Sequence, residues 1–143
     1  MKSKWMLVTA LLIGMGASYA VDLCDDKRNE LAECTSALDF YETTLAAWNE
    51  QLPAAEADVA TAQANWAAAK LLYENMVLTP GSAMAFLAAQ QAFYVATAEL
   101  AAAQAHLEEV QAAIARITAA IAALELEIAE LEAYLAEHCE DCG

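Results

Sequence analysis

The residues most suited to chemistry in this chain are its four cysteines, which lie near its two ends. Cys24 and Cys34 are close to the N-terminus, whereas Cys139 and Cys142 follow His138 at the C-terminus. Thiolates and an imidazole are suitable zinc ligands, and the spacing of Cys139 and Cys142 is that of a redox pair. In an oxidising compartment the same even number of cysteines predicts disulfides. The choice between these chemistries depends on where the protein is located.

The N-terminal sequence, MKSKWMLVTALLIGMGASYA, has the pattern of a secretory signal peptide. Lys2 and Lys4 precede an apolar stretch, and small residues lead up to Ala20, where a signal peptidase would cleave. An uncleaved membrane anchor is the alternative, but the apolar run is short for a bilayer span and contains two glycines. We therefore expect a signal peptide at 1–20 and export of residues 21–143 to the periplasm, the cell surface or the extracellular space.

Export favours disulfides among Cys24, Cys34, Cys139 and Cys142 over a zinc site, because exported thiols usually oxidise. A redox role for the C-terminal pair is less favoured, since it lies at a chain end and not at a helix start after a strand. The sequence contains no nucleophile with a base and an orienting partner, no phosphate-binding glycine loop and no acidic ion-binding loop. It therefore predicts a non-enzymatic protein with no cofactor, metal or small-molecule substrate.

The mature chain is strongly acidic. Removing the signal peptide takes away two of the 6 basic residues and none of the 21 acidic ones. The mature chain then has four basic and 21 acidic side chains, which gives a net charge of −17. Such a surface repels phosphate backbones and anionic lipid headgroups. The composition thus argues against nucleic-acid binding and against electrostatic docking to membranes.

Helix-breaking residues are rare in the mature chain. Its glycines are Gly81 and Gly143, its prolines are Pro53 and Pro80, and alanine, leucine, glutamate and glutamine dominate the rest. Alanine, leucine, glutamate and glutamine are strong helix formers, so the sequence favours helix almost everywhere. The clear turn signal is TPGS at 79–82, whose serine can cap the following helix.

This pattern predicts an all-α fold, a long antiparallel coiled-coil hairpin with its turn near residues 79–82. The expected arms are 22–78 and 83–138, followed by a cysteine-bearing tail at 139–143. We expect residues 21–143 to form a single domain.

Heptad spacing of apolar and small residues runs through both arms, and we call these positions the seam. In the first arm the seam is Leu31, Cys34, Leu38, Tyr41, Leu45, Trp48, Leu52, Ala55, Val59, Ala62, Trp66, Ala69, Tyr73 and Met76. In the second arm it is Phe86, Ala89, Phe93, Ala96, Leu100, Ala103, Leu107, Val110, Ile114, Ile117, Ile121, Leu124, Ile128, Leu131 and Leu135, ending at His138. Placing Met76 opposite Phe86 sets Trp66 against Ala96 and lets large residues meet small ones near the turn.

Pro53 is the main objection to a continuous first arm, because proline removes a backbone donor and clashes with the preceding turn. It either kinks one long helix or ends it and starts another, which would give three helices. The heptad phase continues through Pro53 without a slip, and no glycine or polar cluster accompanies it. We therefore expect a kink.

The same register brings Cys24 opposite His138, so that the cysteines collect at the open end of the hairpin. A disulfide there would close a loop of roughly 100 residues or more, which is worth up to about 4 to 5 kcal/mol. The pairing stays open, because Cys34 is level with Ile128, about 15 Å along the helix from Cys139. Either the C-terminal tail reaches back to Cys34, or Cys34 cross-links to another chain.

Apolar residues also occur outside the seam. Between Ala83 and Ala123 only four side chains are charged, and alanine fills most outward positions. Around the turn, a set of larger apolar residues that we call the apolar tip also lies outside the seam. The apolar tip consists of Leu71, Leu72, Val77, Leu78, Met84, Leu87, Tyr94 and Val95. A surface of this kind predicts packing against other helices.

These features predict an exported coiled-coil protein that self-associates into a homo-oligomer as a structural or scaffold component. The alternative is a periplasmic adaptor or holdase-like binding module that holds a protein partner at the apolar tip. The two hypotheses predict different particle sizes in solution. A self-assembling protein is large when purified alone, whereas a binding module stays small until a client is added.

Overall fold

Two long helices make up the fold. The computed structural model describes residues 18–78 and 81–139. Helix α1 (Ser18–Leu78) and helix α2 (Ala83–His138) pack against each other as a hairpin, so the predicted all-α hairpin is confirmed. Residues 1–17 of the expected signal peptide and most of the expected tail, including Cys142, lie outside the described residues. Within the described ranges, neither helix has a segment long and apolar enough to cross a membrane.

Helix α1 continues through Pro53, which excludes the three-helix alternative. Pro53 is exposed, so its ring lies away from the seam. A proline at this position leaves the carbonyl of Asn49, four residues earlier, without its usual helical donor. Asn49 is also exposed, and water can therefore satisfy that carbonyl.

The predicted seam is the buried stripe of both helices. Every seam residue from Leu31 to Met76 and from Phe86 to Leu135 is buried or half-buried, whereas His138 is exposed. The most buried positions are mainly small: Ala55, Ala62, Ala89 and Ala96, together with Val110 and Leu131. In a two-helix structure a small seam residue is covered by the larger side chain opposite, whereas the larger side chain extends toward the edge of the interface.

The packing divides into two compact units. We call residues up to Glu42 together with those from Ala119 onward the cysteine-end unit, and Thr43–Thr118 the turn-end unit. The expectation of a single domain stays a prediction. Each unit contains a segment of both helices, and each is described separately below.

Aromatic residues organise the interior of the turn-end unit. The Tyr73 ring stacks on Phe93 with centroids 5.5 Å apart and also contacts Phe86 at 5.7 Å. Trp66 packs on Phe93 at 6.1 Å, and its indole N–H donates to the Thr97 hydroxyl at 3.2 Å. Phe93 and Thr97 flank the turn of α2 that carries the buried Ala96, as the predicted register requires.

Helix α2 begins with the cap expected from the sequence. The backbone N–H of Ala85 donates to the Ser82 hydroxyl at 3.1 Å, and the N–H of Phe86 donates to the Ser82 carbonyl at 3.1 Å. The side chain of Ser82 therefore satisfies one of the N–H groups that a helix start leaves without a partner.

Candidate functional site

The first candidate site is the cysteine clasp. Cys24 and Cys139 form a disulfide that joins the two helices across 115 residues of sequence, with their Cα atoms 6.1 Å apart. Cys139 lies just beyond α2, where its N–H donates to the Leu135 carbonyl at 3.0 Å, and its side chain is buried. The predicted cross-link between the two helices at the open end of the hairpin is therefore present, through one cysteine from each pair.

Cys34 does not join the clasp. It is a free, half-buried thiol at its expected seam position, and it lies next to Glu127 of α2. Burial raises the pKa of the Cys34 thiol, and the carboxylates of Glu127, Glu30 and Glu33 raise it further by disfavouring a second negative charge nearby. The thiol is consequently held in its protonated, weakly nucleophilic form.

Two of the cysteines that could bind zinc are bonded to each other. Cys24 and Cys139 share a disulfide, which withdraws their thiolates from metal binding. Across residues 18–78 and 81–139, no three or more Cys, His, Asp or Glu side chains are grouped so that they could hold one ion. His138 instead packs on Tyr134, with ring centroids 4.6 Å apart.

The second candidate site is the apolar tip of the turn-end unit. All eight of its residues are exposed, from Leu72 at 48% to Leu78 at 78% and Met84 at 79%. Their exposure follows from the heptad geometry, because the seam is already filled by aromatic and small residues. The structure therefore places the whole predicted set on the surface of the chain.

The apolar tip is also electrically neutral. Between Val59 and Ala98 the charged residues are Lys70 and Glu74, and their side chains pair with each other at 3.9 Å. The Lys70 ammonium additionally lies 5.0 Å from the centre of the Trp66 ring. A large exposed apolar surface without net charge is typical of a contact site for another macromolecule.

The cysteine-end unit contains features that were not predicted. Lys27 lies four residues before Leu31, at the next seam position toward the N-terminus. Its side chain is only 14% exposed. Its ammonium contacts Glu30 at 3.0 Å and lies 5.9 Å from the centre of the Tyr134 ring. Phe40 and Leu126 are exposed large apolar residues outside the apolar tip, at 65% and 63%.

A groove of about 430 Å³ lies beside Lys27 in the cysteine-end unit. Leu126, Leu131 and Tyr134 of α2 form its apolar part, and the carboxylates of Glu127 and Glu130 border it. Leu126 is the one sign of this groove in the amino-acid sequence, because it is an apolar residue outside the seam among alanines and glutamates.

Comparisons of the chain with protein-family models, with curated proteins and with solved structures find no match. The function is therefore inferred from the geometry of each unit.

Proposed function

We propose that this protein is an exported, non-enzymatic coiled-coil protein that self-associates through its apolar tip as a structural or scaffold component. The observation that carries this proposal is the exposure of all eight tip residues around an interior that is already complete. Leaving so much apolar surface in water is unfavourable by roughly 25 cal/mol per Å². A partner that covers the apolar tip would recover this free energy.

Charge supports a second copy of the chain as that partner. Two chains that each carry a large negative charge repel each other, and the repulsion is smallest where the contacting surfaces are neutral. The apolar tip, with Lys70 and Glu74 paired to each other, is such a surface. Contact through the apolar tip thus combines apolar burial with little local repulsion.

Light scattering on the purified protein tests this function. Self-association predicts a particle larger than one chain when no other protein is present. A particle of one chain that grows only after an unfolded client protein is added would instead support the adaptor or holdase-like alternative, because the same exposed residues would then serve a client.

A further inference from the structure

We propose that the groove beside Lys27 in the cysteine-end unit is a docking site for a basic, amphipathic helical segment of another protein. The chemistry that the groove recognises is a row of apolar side chains flanked by lysine or arginine. This site is separate from the apolar tip, and the proposal does not depend on self-association.

The shape of the groove suits an apolar ridge of a helix. Leu126 is 63% exposed and stands at its edge, while the more buried Leu131 and Tyr134 lie deeper. Tyr134 contacts the His138 ring, with centroids 4.6 Å apart, and its ring centre lies 5.9 Å from the Lys27 ammonium. The apolar part of the groove is therefore already positioned before a partner arrives, which reduces the entropy cost of binding.

The charges around the groove determine which partner fits. From Leu23 to Glu42 and from Ala119 to Cys139 there are eleven acidic side chains but only two basic ones, Lys27 and Arg28. Both basic groups are already paired, Lys27 with Glu30 at 3.0 Å and Arg28 with Asp25 at 2.8 Å.

Two carboxylates border the groove: Glu130 is exposed, whereas the half-buried Glu127 also hydrogen-bonds the Cys34 thiol. Neither Glu127 nor Glu130 takes part in a salt bridge within the part of the chain that the structure describes. A basic segment would complement them, which favours both the rate of encounter and the choice of partner. A second copy of this chain would instead bring its own acidic surface against them.

A labelled peptide provides the test. The probe is a helical peptide of leucine and lysine, with the leucines along one face, that carries a fluorophore for anisotropy titration against the purified protein. We expect it to bind, and we expect Leu126→Gln to weaken its binding about tenfold, since burying a leucine against an apolar partner contributes on this scale.

Two controls make the result specific. Leu71→Gln alters an equally exposed leucine, at 61%, in the turn-end unit, and it should leave peptide affinity unchanged. A peptide of the same composition with scrambled order keeps the charge but loses the apolar face, and it should bind at least about tenfold more weakly. Circular dichroism of both protein variants establishes that their helix content is retained.

Three outcomes would overturn the proposal. Absence of measurable binding would do so directly. Equal affinity for the ordered and scrambled peptides would show a diffuse attraction to the acidic surface and no site. Loss of affinity in Leu71→Gln, with Leu126→Gln unaffected, would move the binding to the apolar tip.

Discussion

Cys34 could have formed a disulfide, but its position makes it a packing residue of the seam. As a thiol at a seam position it packs like a small apolar residue, and the neighbouring carboxylates keep it protonated. The disulfide instead uses Cys24, because that residue is level with the end of α2, where the chain leaves the helix at Cys139.

The reactivity of Cys34 should respond to Glu127 in particular. We expect iodoacetamide at pH 8 to alkylate Cys34 faster in Glu127→Gln than in the wild type. The substitution removes a negative charge that raises the pKa of the thiol and replaces the carboxylate that accepts from it with a neutral amide, so more thiolate is present at a given pH.

This measurement needs a background in which Cys142 is replaced by serine, so that Cys34 is the thiol followed by mass spectrometry. Glu132→Gln is the matched control, because it removes an exposed carboxylate of the same helix that is not among the three carboxylates raising the pKa of Cys34. Equal alkylation rates in the two variants would contradict the assigned role of Glu127.

At the level of the helices, the close approach of α1 and α2 near the turn depends on small residues. Ala96 is 6% exposed and lies between Phe93 and Thr97 in the sequence of α2, and both of these residues contact Trp66. Ala96→Trp should overpack this part of the interface and lower the free energy of unfolding by about 1 to 3 kcal/mol. Thermal or urea denaturation followed by circular dichroism measures the change.

The comparison variant is Ala98→Trp, which places the same side chain at an exposed position of the same helix. It should cost little. If both variants unfolded at the wild-type midpoint, the register that sets Trp66 over Ala96 would be wrong.

The disulfide should stabilise one end of the hairpin selectively. Cys24→Ser removes a cross-link across 115 residues, at a cost of up to about 4 to 5 kcal/mol in the chain-entropy model. Hydrogen exchange should show protection lost first in residues 23–42 and 119–138, while residues 59–103 remain protected, because local opening begins where the constraint is removed.

Peptide mapping complements this experiment. Digestion of the wild type without reducing agent should yield a peptide pair that joins Cys24 to Cys139. A linkage that joins Cys139 only to Cys142, or an even loss of protection along both helices in Cys24→Ser, would refute the clasp.

Much of the helical architecture could be predicted from the sequence, because alanine-rich heptads leave few alternatives. The seam, the turn and the Ser82 cap follow from spacing and local preference alone. The burial of Ala113 could not be anticipated, since it lies beside the seam residue Ile114 and alanine fits both interfaces and surfaces. Lys27 was missed for a different reason: a charged residue was not expected in the seam, where Glu30 and Tyr134 now accommodate it.

The cysteine pairing depended on information that spacing does not contain. The sequence places both pairs at one end of the hairpin, but one residue of helix shifts a side chain by about 1.5 Å and 100°. Which sulfur atoms meet therefore depends on the local path of the chain after His138. The groove beside Lys27 could not be predicted for the same reason, because its shape depends on how side chains of two helices are placed relative to each other.

At the level of the whole molecule, charge and apolar surface are unevenly distributed. The described part of the cysteine-end unit is rich in carboxylates, and its exposed large apolar residues are Phe40 and Leu126, whereas the segment around the turn is neutral and apolar. We infer that copies of the chain associate through the neutral segment, and that dissolved salt assists them by screening the repulsion between the acidic parts.

The most direct test of this claim is sedimentation velocity across a salt series, comparing the wild type with a variant that carries Leu72→Glu, Leu87→Glu and Tyr94→Glu. These residues are exposed, so the variant should keep its helices and sediment as a single chain. A control with Gln51→Glu, Gln63→Glu and Gln104→Glu adds the same charge at exposed positions outside the apolar tip.

We predict that the wild type and the glutamine-substituted control form oligomers whose proportion grows as salt screens their charge, within a Debye length of about 8 Å at physiological ionic strength. The tip variant should remain a single chain throughout the series. A wild type that sediments as one chain at every salt concentration would contradict self-association through the apolar tip.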